Sequence, residues 1–136
     1  ALHEHTHDAA HLAHVQSVFL AKLRHMLPEV HLNAHNTLRQ PGIMSVRLPK
    51  GLGAQAVLEA CPGVAASLGS ACSSAALEPS YVLEAMGLTR EEAARSLRLS
   101  PGRFTSAAEA ERAAELLAQA AQRVRAAHTP PEQLCV

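Results

Sequence analysis

The residue best equipped for covalent chemistry is Cys72, set in Gly69-Ser-Ala-Cys-Ser-Ser74. A thiol acts as a nucleophile when substrate can reach it and part of it is ionised. Small neighbours on both sides leave Cys72 accessible. Cys61, after Val57-Leu58, has instead the apolar setting of a packed cysteine. No Lys or His stands beside Cys72 to lower its pKa. Its type and setting fit either a presented nucleophile or a small residue in a loop of small residues. Arg98 and Arg103 form the second candidate, one on each side of Ser100-Pro-Gly102. A guanidinium is a rigid fork of donors that can grip a carboxylate through two bonds. Arginines at a strand end also occur on surfaces that bind nothing, and spacing does not separate the two readings.

Other reactive types carry less. His3, His5, His7, His11 and His14 crowd the start of the chain. His7, His11 and His14 fall at i, i+4 and i+7, one face of a helix, where imidazoles can bind Zn²⁺. A solvated, His-rich helix start accounts for them equally, and no metal ligand is assigned. Ser70, Ser73 and Ser74 lack the G-x-S-x-G setting of a serine nucleophile. Gly51-Leu-Gly53 is too short for a phosphate loop.

The elements that must position these residues are bounded by composition. At 136 residues the chain is the size of one domain, and 48% apolar content supports a modest core. With only 2% aromatic residues, that core is aliphatic. Twelve basic and twelve acidic residues cancel, so no basic face for nucleic acid is expected. No apolar run approaches the length of a membrane span, so no membrane partner is expected. Three cysteines without a CxxC pair argue against a disulfide framework and suit a reducing, cytoplasmic setting. The chain opens on Ala1 without Met, as a fragment of a longer protein would.

Periodicity then places the elements. Residues 1–10 read as a flexible His-rich start, 11–127 as a single α+β domain carrying the cysteine loop, and 128–136 as a loose tail. Leu12, Val15, Phe19, Leu23 and Met26 line one helical face from His11 to a stop at Pro28. Short strands are expected at Val30–Asn33, Ile43–Leu48, Val64–Ser67 and Leu97–Ser100. Helices are expected at Gln55–Cys61 and from Pro79 to Met86, the latter closed by Gly87. Thr89-x-x-Glu92 and Ser106-x-x-Glu109 are capping boxes that open two more helices. The second should bury Ala110, Ala113, Ala114, Leu117, Ala121 and Val124, and carry Glu111 and Glu115 toward Gln119 and Arg123 on its wet side. The expected fold is a small sheet of three to four short strands packed against helices.

Two stretches carry a family resemblance. Gly69-Ser-Ala-Cys-Ser-Ser-Ala-Ala-Leu-Glu-Pro-Ser-Tyr-Val-Leu83, then Leu97-Arg-Leu-Ser-Pro-Gly-Arg-Phe-Thr105, resembles the C-terminal (small) domain of NifS-type cysteine desulfurases. The segment from Val30-His-Leu-Asn33 through Cys61 to Gly69 is also similar to selenocysteine lyases. The resemblance covers about residues 8–127. It implies a homodimeric enzyme of the PLP-dependent transferase (fold type I) architecture, which uses pyridoxal 5'-phosphate (PLP) to release sulfur or selenium from L-cysteine or L-selenocysteine and leave L-alanine. It matches Cys72 to the nucleophile that accepts the sulfur or selenium and passes it to an acceptor protein. It matches Arg103 to the arginine that binds the substrate carboxylate. Neither Lys22 nor Lys50 has the Ser-x-His-Lys setting that anchors PLP in the family, so the cofactor is expected on a large domain outside this chain. Leu68, Gly42 and Pro101 depart from the family's Ser, Asn and aliphatic residue, and Pro101 stiffens the turn that aims Arg103. The competing expectation is a non-catalytic sulfur-carrier or interaction module lacking the PLP-binding half.

Overall fold

A computed structural model describes residues 2–34, 40–68 and 81–128, with backbone alone for residues 2–6. Its elements run α1 (Leu2–Met26), β1 (His31–Leu32), β2 (Met44–Arg47), α2 (Ala54–Glu59), β3 (Ser67–Leu68), α3 (Tyr81–Ala85), α4 (Arg90–Ala94), β4 (Ser96–Leu99) and α5 (Ala107–Ala127). The four strands form one antiparallel sheet in the order β1-β2-β4-β3. This is the α+β architecture that the alternation of short strands and helices implies.

Strand alternation decides the two faces of the sheet. Met44 pairs with Leu99 and Val46 with Leu97, and all four side chains are buried on the helix-covered face. Ser45 pairs with Arg98 and Arg47 with Ser96 on the other face. There Asn33 donates through Nδ2 to Ser45 Oγ and Ser96 Oγ, each at 3.0 Å. Ser96 Oγ in turn donates to the Glu92 carbonyl at 2.9 Å. The buried amide is thus satisfied, and it ties β1, β2, β4 and the end of α4 together.

The helices cover the apolar face. Val15, Phe19 and Leu23 of α1 and Ala110, Ala114, Leu117, Ala118 and Ala121 of α5 are buried in one core with the strands. Alanines let α5 lie close to α1 and the sheet, which suits a core built with few aromatic rings. Three cross-links run in order along the two helices and the residues flanking them: Asp8 with Arg103, Lys22 with Glu111 and Glu115, and Glu29 with Arg125. The two helices therefore run in the same direction, joined through the sheet.

Several boundaries differ from the periodic reading. Helix α1 begins at Leu2 rather than His11. Its first two turns contain no Pro or Gly, so nothing in them breaks a helix, although they lack the apolar stripe that marked the rest. Strand β3 is Ser67–Leu68, displaced from Val64–Ser67, because Val64 closes a turn by donating to the Cys61 carbonyl. The ion pairs of Glu111 and Glu115 lie elsewhere than toward the expected Gln119 and Arg123. Both reach Lys22 of α1, and Arg123 donates to the Ala60 carbonyl at 2.7 Å. The expected buried face of α5 gains Ala118 and Ala120, while Ala113 and Val124 are only partly covered.

Both capping boxes form as the sequence implies. Ser106 accepts from the Glu109 amide at 3.1 Å, and Glu109 accepts from the Ser106 amide at 2.7 Å. Thr89 and Glu92 make the same reciprocal pair at the start of α4. Gly87 closes α3 with φ +94°, a conformation that a side chain would strain.

Candidate active site

Cys72 lies outside the described residues, as does the rest of the 69–80 segment. What the fold decides is where that segment leaves and returns. It leaves β3 after Leu68, which is paired with Leu97 at the start of β4. It returns at Tyr81, the first residue of α3, which is 81% exposed. Because β3 and β4 are antiparallel, Leu68, the last residue of β3, lies toward the end of β4 opposite the one that leads to Arg103.

The arginine turn follows β4 directly. Thr105 closes it twice: its amide donates to the Gly102 carbonyl at 3.0 Å, and its Oγ1 accepts from the Gly102 amide at 3.0 Å. This staple holds Arg103 and Phe104 at the tip. Arg103 is about half exposed, and its Nη2 donates to Asp8 Oδ2 at 2.6 Å. Its guanidinium also lies 5.9 Å from the Phe104 ring centre, within cation–π range. Phe104 itself is 91% exposed. Arg98 sits within β4 at an exposed position opposite Ser45 and Ser67, apart from the turn. The two arginines that flank Ser100-Pro-Gly102 therefore occupy different settings, and only Arg103 stands on a tip that a ligand could approach from solvent.

Helix α1 braces this turn. His11 Nε2 lies 2.9 Å from the Thr105 carbonyl oxygen, three residues along the helix from Asp8. His11 is thus engaged with the backbone of the arginine turn. Among the described residues no group of three His, Cys, Asp or Glu side chains is placed to hold a metal. Asp8, the partner of Arg103, and His11, which contacts the Thr105 carbonyl, are the residues that reading the sequence overlooked. Their i, i+3 spacing continues the stripe of Leu12 and Val15, which was the available signal.

The two lysines are placed unlike a cofactor anchor. Lys22 contacts Glu115 at 3.0 Å and Glu111 at 3.4 Å. Its hydrogen bonds to Glu115 and then Glu111 push its pKa above the usual lysine value, away from the neutral amine that imine formation needs. Lys50 is exposed in the Pro49-Lys-Gly51 turn. Cys61 is buried, and loss of water around its thiol raises its pKa, so it is a packed, inert cysteine.

A cavity of about 710 Å³ opens beside the arginine turn between α1, α5 and residues 63–65. Val15, Phe19, Met44, Val64, Leu99 and Leu116 line it. The wall is mainly aliphatic. Of its charged residues, Glu109 is committed to the cap of α5 and Arg112 to Glu115. It offers no set of donors for a phosphate.

No family model matches the chain. The IscS cysteine desulfurase of Rickettsia bellii is 35% identical over 125 residues, which are 92% of this chain and 30% of that protein. A cysteine desulfurase of Frankia sp. is 48% identical over 96 residues, 71% of this chain and 23% of that protein. Among solved structures, a NifS-like protein from Rickettsia africae aligns with TM-score 0.65 at 24% identity, covering 87% of this chain and 29% of its own. The chain thus spans under a third of the length of these relatives, and it matches their C-terminal part. Over the residues it shares with them, it belongs to the NifS-type cysteine desulfurase family, as the C-terminal small domain.

Proposed function

We propose that this chain is the small-domain part of a PLP-dependent enzyme that takes sulfur or selenium from L-cysteine or L-selenocysteine and leaves L-alanine. Cys72 is the acceptor of the sulfur or selenium, and Arg103 is the clamp for the substrate carboxylate. The observation that carries the reading is that both motif segments hang on one strand pair: the cysteine segment continues β3, and the arginine turn continues β4. The chain leaves β3 toward Cys72 and leaves β4 toward Arg103 at opposite ends of that pair. Four residue steps lead from Leu68 to Cys72 and span at most about 14 Å. Two strand steps, from Leu97 to Leu99, span about 7 Å. A cysteine on such a tether can meet a substrate held near Arg103 and afterwards present its cargo elsewhere.

The chemistry follows from the groups. The Cys72 thiolate attacks the substrate's sulfur or selenium, and a new S–S or S–Se bond forms as the bond to Cβ breaks. The electron pair stays on Cβ, which takes up a proton to become the methyl group of alanine. Cys72 is left carrying a persulfide or its selenium counterpart for an acceptor protein. PLP supplies the electron-withdrawing ring that makes such a cleavage accessible. The residues here do not hold it: Lys22 is committed to two glutamates, and Lys50 stands alone on an exposed turn. The cofactor belongs to a large domain beyond this chain, in an enzyme that works as a cytoplasmic homodimer. Exposed Tyr81 and Phe104, beside the two motif segments, suit a surface that the remainder of the enzyme covers.

The test is mass spectrometry of the Cys72 peptide after L-cysteine is added, with and without a PLP-binding large domain supplied alongside. The expected result is persulfide on Cys72 and released alanine only when both parts are present. Cys72→Ser should keep the PLP absorbance and lose the persulfide. Desulfuration retained by that variant would remove Cys72 from the reaction.

A further inference from the structure

Arg103 already holds a carboxylate. Asp8 Oδ2 sits 2.6 Å from its Nη2, an ion pair that joins residues 95 positions apart in sequence. The pair is not a packed structural bridge, since Arg103 is 52% and Asp8 30% exposed. Asp8 is also not free to drift. It lies within α1, and His11 on the same helix fixes the distance to the turn through the Thr105 carbonyl. Thr105 in turn closes the loop on Gly102 by two bonds. The carboxylate is therefore presented to the guanidinium by a braced helix, and its chemical group is the one an amino acid brings.

Resting on the reading of Arg103 as the substrate clamp, we infer that Asp8 is a resident carboxylate that occupies Arg103 in the free enzyme and competes with the carboxylate of the incoming amino acid. A solvated pair of this kind is weak enough to exchange. The substrate gains its advantage by gripping the guanidinium through two oxygens, whereas Asp8 engages it through one contact. Asp8 thus sets how much amino acid is needed to fill the site. It also keeps the guanidinium on the α1 side of the turn until substrate arrives. It touches no reacting atom, so its effect falls on binding and not on bond cleavage.

The experiment is steady-state desulfuration of L-cysteine by the holoenzyme that carries this chain. Asp8→Asn keeps the shape and removes the competing charge. The expected result is a KM lowered by about 1.5- to fivefold, with a smaller change in kcat, and a return toward the original KM in Asp8→Glu. A structural role for Asp8 would not give that split, nor the rescue by a carboxylate. A KM that is unchanged or raised in Asp8→Asn, while Arg103→Gln raises KM strongly, overturns the competition and leaves the clamp standing. Arg103→Gln without effect on KM overturns both the clamp and the competition. A second readout needs no turnover: the Arg103 Nη–H resonances of the holoenzyme should shift in Asp8→Asn. An unmoved resonance would show that the pair does not form in solution and would also overturn the inference.

Discussion

Cys61 and Cys72 show how far residue type alone reaches. Both are cysteines of one chain, and their neighbours sort them: Val57 and Leu58 precede one, glycine and serine surround the other. The fold buries Cys61, 3% exposed, and the missing water raises its thiol pKa. Alkylation of the native chain with iodoacetamide, followed by peptide mass mapping, should therefore modify Cys72 before Cys61. Cys61 should react only after denaturant is added. Early labelling of Cys61 would mean that the core around it opens readily. Three glutamates also carry a pH dependence. Glu92 and Glu109 are held below the usual glutamate range, chiefly by backbone amides of Thr89 and Ser106, and Glu115 chiefly by Lys22. A depressed carboxylate contributes stability that is complete above its unfolded pKa, about 4.3, and is lost as pH falls through the lower native value. Urea midpoints should thus be flat from neutral pH to about 5 and fall below about 4. A midpoint that rises on acidification would contradict these pairings.

At the scale of elements, the capping boxes and the buried amide are the features with measurable weight. Ser106→Ala removes the side-chain acceptor at the start of α5 and should cost about 1 kcal/mol, read by chemical denaturation. Since the N-cap Ser106 of α5 directly follows Thr105, fraying there should also loosen the arginine turn. Asn33→Ala should cost about 1–3 kcal/mol, because it breaks one buried and one part-buried hydrogen bond and leaves Ser45 and Ser96 without their donor. The loss should exceed that of Ser106→Ala, since water can replace an exposed cap bond but not a buried one. Capping boxes were legible in the sequence because their partners lie three residues apart. The Asn33 network was not, since its donor and its far acceptor are 63 residues apart.

For the whole molecule, the weight lies in the aliphatic core between α1, α5 and the sheet. Leu117 is fully buried at its centre, and Leu117→Ala should destabilise by about 2–5 kcal/mol in a denaturant titration. That is a large share of the stability a domain of this size can have. A smaller value would indicate that the alanine-rich helix collapses onto the cavity. The same closeness of α1 and α5 brings the start of α1 against the arginine turn, and the apolar cavity opens between the two helices just beside it.

The family, the sheet-and-helix class, both capping boxes and the burial of Ala110, Ala114, Leu117 and Ala121 were readable from the sequence alone, because each is written in local spacing or a contiguous motif. A pattern of two or 3.6 residues, or a run such as Leu-Glu-Pro-Ser-Tyr-Val-Leu, needs no distant partner to be recognised. Tertiary structure alone decided which side chains meet across the chain. It took Glu111 and Glu115 to Lys22, and it set the end of β3 and the arginine turn at opposite ends of β4. It also delivered Asp8 to Arg103 across 95 positions of sequence. Such encounters depend on how two helices and a sheet pack, and packing geometry leaves no periodic trace in the order of the residues.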